Sequence, residues 1–328
     1  MKIKWPGQAW LKIILAALMV AGGLLNSQAD ESKVLRIGYQ KSGAFLLARF
    51  DGGIEKALAP LGYRVEWKEF LSGPALIEAL NAGSVDVGHC GDCPIILAQA
   101  AGVPLLYIGS SQGNPHSAAI IVPVGSSLHD IADLKGKKVA FTRGSSGHYL
   151  LARALESKGL TLADIQPAYL SPPDARAAFQ SGAVDAWSIW DPFFAAAEVD
   201  SGARILVSSQ GLSSHREFYF GQRDYLQQNP AVVGPILAAL NKADQRISGD
   251  PAGTAAFLSD KLGIKPEILL RALARNTRYN VGPLTPEVVA EQQQVADFLF
   301  QQGIVPKPVR VADAVFHSDA VVLGKGAL

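Results

Sequence analysis

The chain has 328 residues, 48% hydrophobic and 18% charged, with 32 glycines and 19 prolines and no low-complexity tract, which excludes a disordered, collagenous or coiled-coil protein. Its length exceeds the roughly 250 to 300 residues at which a single core stops growing, so two lobes are expected. Two cysteines and a formal charge of +1 leave no disulfide scaffold and no basic footprint for nucleic acid.

Lys2, Lys4 and Lys12 precede and enter an apolar run from Ile13 to Leu25, and small residues follow at Ser27 and Ala29. This is the pattern of a secretory signal, its apolar run too short to span a bilayer stably, and cleavage is expected before Asp30. Losing residues 1–29 removes three lysines and no acid, leaving 27 basic against 29 acidic residues and a formal charge of −2. No other stretch is long and apolar enough to cross a bilayer. The expected product is exported and soluble, and periplasmic in a Gram-negative source.

Strand-like runs follow at Val34 to Gln40, Tyr63 to Phe70, Val85 to Cys90 and Leu105 to Ser110, separated by helical stretches near 44–60, 74–82 and 94–101. The alternation restarts with strands at Lys138 to Arg143, Ala168 to Ser171 and Val184 to Trp190 and helices near 146–158, 173–181 and 192–199. Beyond about 229 the pattern is helical, near 230–248, 251–262, 266–274 and 286–302. Strand and helix in alternation predict parallel sheets with helices on both faces, an α/β protein. An internal echo supports two lobes. Ala79 to Asp86 and Ala178 to Asp185 share one plan: a helix end, a glycine able to turn left-handed, then Val-Asp opening a strand. Leu46 to Arg49 and Leu150 to Arg153 repeat Leu-Leu-Ala-Arg upstream.

In such sheets ligands bind beyond the carboxyl ends of the strands, where helix N-termini offer unpaired N–H groups. Four junctions qualify: Gln40-Lys41-Ser42-Gly43, Cys90-Gly91-Asp92-Cys93-Pro94, Gly144-Ser145-Ser146-Gly147-His148 and Asp191-Pro192 after Trp190. Singly, each is an ordinary cap or packing residue. Together they suit a small oxyanion held between lobes, in a groove free of carboxylates that would repel it. Cys90 and Cys93 form a C-x-x-C, but inside a repeated βα plan a local disulfide or two inert thiols is the expectation. His89 and Cys90 point to opposite faces of a strand and build no zinc site. Residues 144–148 fail as G-x-S-x-G in both registers, and no P-loop, dinucleotide fingerprint or H-E-x-x-H occurs. No enzyme, cofactor or metal is implied.

Leu35-Arg36-Ile37-Gly38-Tyr39-Gln40-Lys41, Gly73-Pro74, Gly91-Asp92, Asp133 to Ala140, Gly144-Ser145-Ser146, Pro173 to Phe179 and Val184 to Pro192 together resemble the aliphatic sulfonate-binding proteins of bacterial sulfonate ABC importers, from about Leu35 to the C-terminus. The resemblance implies a two-lobed periplasmic-binding fold of the second type, each lobe a mixed, mostly parallel sheet flanked by helices. Lobe one would comprise 30–118 and 218–328 and lobe two 119–217, with crossing strands near Ala118 to Val122 and Phe218 to Phe220. It implies an aliphatic sulfonate in the cleft, a monomer, and delivery to a membrane permease with its cytoplasmic ATPase. By matching position, Gln40, Gly91, Asp92, Ser145, Ser146, His148, Trp190 and Asp191 are the cleft residues, with Tyr219 added. Of these, Gln40, Ser146, His148 and the backbone amides at 91–92 and 145–147 would hold the head group; Trp190, Phe193 and Tyr219 would face the tail. The family pattern has Ser-Thr before Gly-Asp where this chain has His89-Cys90, and a thiol is a weaker donor than a hydroxyl. Alternatives within the class are taurine, a sulfate ester, nitrate or bicarbonate. From another class comes a thiol oxidoreductase using Cys90 and Cys93.

Overall fold

The computed structural model describes residues 33–275 and 280–317; the expected signal segment, 1–29, lies outside them. Ten strands occur among these residues. β1 to β4 span Lys33–Tyr39, Tyr63–Glu69, Val87–Gly91 and Leu105–Ser110; β5 to β9 span Ala118–Val122, Lys138–Phe141, Gln166–Tyr169, Ala186–Trp190 and Arg204–Ser208; β10 spans Glu217–Gln222. They form two five-stranded sheets, ordered β2-β1-β3-β10-β4 and β7-β6-β8-β5-β9. In the first, β1 runs parallel to β2 and β3 while β10 lies antiparallel between β3 and β4. In the second, β6 runs parallel to β7 and β8 while β5 lies antiparallel between β8 and β9. The expected mixed α/β architecture is therefore present twice on one plan. Two short connectors, 111–117 and 209–216, join the sheets.

Helices α1 to α4 span Gly43–Asp51, Gly53–Leu58, Gly73–Asn81 and Asp92–Ala100; α5 to α7 span Ser146–Glu156, Pro172–Gln180 and Phe193–Ser201; α8 to α12 span Arg223–Gln228, Val233–Gly249, Pro251–Leu262, Pro266–Ala274 and Pro286–Gln301. The single helix expected over 44–60 breaks at Gly52, whose φ of 68° ends α1 with its N–H on the Ala48 carbonyl. Strand β9 was not anticipated: it is a half-buried sheet edge with little alternation.

The echo is structural. Asp86 Oδ2 accepts the Arg36 N–H of β1 at 2.7 Å, and Asp185 Oδ2 accepts the Lys138 N–H of β6 at 2.8 Å. In each half the acid closing the Gly-x-Val-Asp turn anchors the first parallel strand of its sheet. Leu35, Ile37, Phe45 and Leu47 pack with Leu237, Leu240, Leu258 and Leu269, so the C-terminal helices complete the core of the first sheet. Burying such side chains stabilises by about 1.5–3 kcal/mol each. Across the gap, Ala195 and Ala196 of α7 meet Ile268 of α11, and Lys265–Asp200 and Arg271–Glu198 pair at 2.9 Å each beside them.

Candidate functional site

Four strand ends converge. Gln40 after β1, Gly91 at the end of β3, Ser145 and Ser146 after β6 and Trp190 at the end of β8 line one cavity of about 380 Å³. Gly91 meets Ser146 here, and a Cβ added at Gly91 would overlap the Ser146 Oγ; its φ of −74° suits any residue, so the glycine serves close approach rather than backbone geometry. Ser145 caps α5, its Oγ accepting the His148 N–H at 3.3 Å and donating to the Thr142 carbonyl at 2.7 Å. First-turn amides of α4 and α5 lack intrahelical acceptors, and the helix dipole favours an anion beside them. The Gln40 side-chain amide donates to the His89 carbonyl at 3.1 Å, which leaves its second N–H and its carbonyl oxygen available.

Gln40 also donates its backbone N–H to His89 Nε2 at 3.2 Å. Its other ring nitrogen, Nδ1, stands 3.4 Å from Glu217 Oε2. Burial works to raise Glu217, but His89 and His215 outweigh it and hold the carboxyl below its ordinary range.

A larger cavity of about 840 Å³ adjoins the first, sharing Ser42, Trp190, His215 and Glu217 with it. Leu46, Ile247, Leu258, Leu269 and Leu273 give it an apolar wall, and three carboxylates line it: Asp191, Glu217 and Asp244. The carboxylate-free groove that the sequence suggested holds for neither space, since Glu217 borders both; the smaller one has that acid alone, with Arg216 also in its lining. Arg275 Nη1 reaches both Asp191 oxygens at 2.7 and 3.0 Å, and Asp191 Oδ1 accepts the Ala195 N–H at 2.9 Å. Burial still pushes Asp191 up to about 6, against the pull of Arg275. Among the described residues, no cluster of three His, Cys, Asp or Glu side chains could hold a metal ion.

Trp190 lines both cavities and, with Phe193, a third space; Tyr219 and Asp191 line the larger one. Two sequence-nominated residues do not line any of the three. Asp92 is buried beneath, its oxygens accepting the Cys93 N–H at 2.8 Å and the Ser213 hydroxyl at 3.0 Å. His148 turns inward: its Nδ1 accepts the Gly144 N–H at 3.2 Å and its ring stacks on Phe141. Burial first, and Arg143 second, lower it to about 4, so it carries no positive charge at neutral pH. Cys90 packs in the apolar cluster with Leu76, Cys93 and Phe218, its Cβ close beside Gly73. The thiol that departs from the family pattern therefore does not line the cleft, and both cysteines are buried and free.

Against known proteins, the family described as NMT1/THI5 like matches residues 64–254. The alkanesulfonate-binding protein of Xanthomonas axonopodis pv. citri, solved bound to MOPS, is 42% identical over 87% of this chain and 98% of its own, with a TM-score of 0.83. This chain belongs to the aliphatic sulfonate-binding proteins. The periplasmic aliphatic sulphonate-binding protein of Escherichia coli is another such relative, 41% identical over 86% of this chain and 97% of its own, TM-score 0.78. The taurine-binding periplasmic protein of Escherichia coli K12 is 27% identical over 75% of this chain and 80% of its own.

Sequence reading of this sulfonate-binding family member missed His215, Glu217 and Asp244. Glu217 stands two residues before Tyr219, on the same strand face. Asp244 interrupts the buried stripe Ile236, Leu237, Leu240, Ile247 of α9, and an acid on an apolar helix face is a signal that could have been read.

Proposed function

We propose that this chain is the extracytoplasmic solute-binding component of an ABC importer, taking an aliphatic sulfonate into the cleft and delivering it to a membrane permease driven by a cytoplasmic ATPase. The observation that carries this reading is the meeting of Gly91 and Ser146 at a cavity whose hydroxyls and amides come from both sheets. A sulfonate stays anionic across physiological pH and presents three acceptor oxygens. Charge-assisted hydrogen bonds contribute about 1.5–3 kcal/mol each, so three or four, less ordering costs, suffice for micromolar affinity near about −8 kcal/mol. The head group is assigned to Ser146, Gln40 and the amides at 91–92 and 146–147, the Ser145 N–H being taken by the Thr142 carbonyl at 3.2 Å. The tail is assigned to Trp190, Tyr219 and the apolar wall of the larger cavity.

The two lobes, 30–118 with 218–328 and 119–217, rotate as rigid bodies and close on a guest that touches both. No bond is made or broken. The protein acts as a monomer in the periplasm after loss of its signal segment. A relative solved bound to MOPS, a propanesulfonate, supports this ligand class. Calorimetry across alkanesulfonates of increasing chain length tests it: each added methylene buried should tighten binding up to about fourfold, the equivalent of about 0.8 kcal/mol. Absence of binding by every member overturns it.

A further inference from the structure

The cleft is electrically lopsided. Its smaller cavity sets one acid, Glu217, beside Arg216, Ser145 and Ser146, whereas its larger one adds Asp191 and Asp244. Two of these acids have a basic neighbour within the protein: Arg275 pairs with Asp191 at 2.7 Å, and His89 Nδ1 stands 3.4 Å from Glu217. The Lys41 ammonium, which also lines the larger cavity, is 3.4 Å from Glu69. Asp244 has no such neighbour among the described residues. It is 1% exposed, its Oδ2 is buried without a hydrogen-bond partner, and Glu217 is close enough to disfavour its ionised form further. An unpaired carboxyl in an apolar wall destabilises the fold, and such groups persist where something else uses them. The three acids do not converge as metal ligands, so the missing counterpart is an organic cation rather than a metal ion.

We propose that Asp244, with Glu217, forms a cation subsite at the far end of the cleft, so that the preferred guest is a zwitterionic sulfonate whose aliphatic tail carries an ammonium or protonated tertiary amine. This rests on the sulfonate reading above and adds a second polar anchor to it. The guest spans the two cavities: sulfonate at Ser146 and Gly91, methylenes along Leu258 and Leu269, cation at Asp244. Burial and Glu217 raise the Asp244 carboxyl well above its usual range while it stands alone. An arriving cation reverses that preference, and the acid gives its proton to solvent as the pair forms.

The test compares two isosteres by calorimetry at neutral pH: dimethylammonio-propanesulfonate and isohexanesulfonate, which has CH in place of the N–H⁺. Wild type should bind the zwitterion at least about tenfold more tightly, on the scale of a partly buried ion pair. Asp244→Asn should erase that preference, leave isohexanesulfonate affinity within about threefold, and raise or preserve the melting temperature of the ligand-free protein, because an uncompensated buried acid is gone. Asp244→Leu should reverse the preference in favour of isohexanesulfonate. If isohexanesulfonate binds and the zwitterion binds no better, or if Asp244→Asn keeps the preference, the cation subsite is overturned while the sulfonate reading stands. If neither sulfonate binds, both fall.

Discussion

The central parallel strands of the two sheets end alike and are finished differently. β3 stops at Gly91 and is followed by Asp92; β8 stops at Trp190 and is followed by Asp191. On the first sheet the residue facing the gap has no side chain and the acid is tied to neighbouring hydroxyl and amide groups. On the second, an indole stands in the gap and the acid is clamped by Arg275, a residue of the C-terminal helical segment. One duplicated strand end thus supplies close approach and the other a wall and a latch. Similar backbone plans do not dictate similar roles at their tips.

Exchanging the character of the first tip should have the largest effect. Gly91→Val leaves an allowed backbone, since φ is −74°, yet sets a branched side chain against Ser146 Oγ. Alkanesulfonate affinity is expected to fall at least about a hundredfold, on the scale of losing two head-group hydrogen bonds, with the melting temperature little changed. Calorimetry beside thermal unfolding checks this, and near-normal affinity would mean that the two tips need not meet.

The second acid offers a pH handle. Its folded value near 6 stands above the roughly 3.9 of an unfolded aspartate. The folded state therefore holds this proton more tightly, and stability from this group is full below about pH 4 and is lost as pH rises through about 6. Across that window wild type should lose on the order of 2 kcal/mol relative to Asp191→Asn, in which the slope is absent. Melting curves of both proteins from pH 4 to pH 7 measure it. The smallest change is expected at the first acid: Ser213→Ala removes a hydroxyl that donates to Asp92 and accepts the His215 N–H, and should cost about 1.5 kcal/mol in denaturant unfolding. A cost equal to that of Asp92→Ala would place the whole tether in that one hydroxyl.

The strand-end members Gln40, Gly91, Ser145, Ser146 and Trp190 were legible because each lies within a residue or two of a strand whose apolar run marks its own end. Side-chain direction was not. His148 sits two residues into α5, where about 100° per residue carries it from the cleft into the interior, and Asp92 turns toward the connector rather than the cavity. Glu217 and Asp244 reach the cleft from strands and helices more than a hundred residues downstream of Gly91, and nothing local announces that return. The duplicated Gly-x-Val-Asp turn was visible in the sequence; its function as a strand anchor, through Asp86 and Asp185, emerged only when the accepting oxygens were located.

The two connectors between the sheets run side by side and are stitched together. Ser111 N–H donates to the Glu217 carbonyl at 2.9 Å, Glu217 N–H returns to Ser111 Oγ at 3.1 Å, and Ser209 Oγ donates to the Pro115 carbonyl at 2.6 Å. A pair of laced straps resists twisting and sideways shear far better than a single strap, while leaving flexion across its short axis soft. The closure proposed above is thereby steered toward flexion across the straps, the one movement their lacing leaves soft.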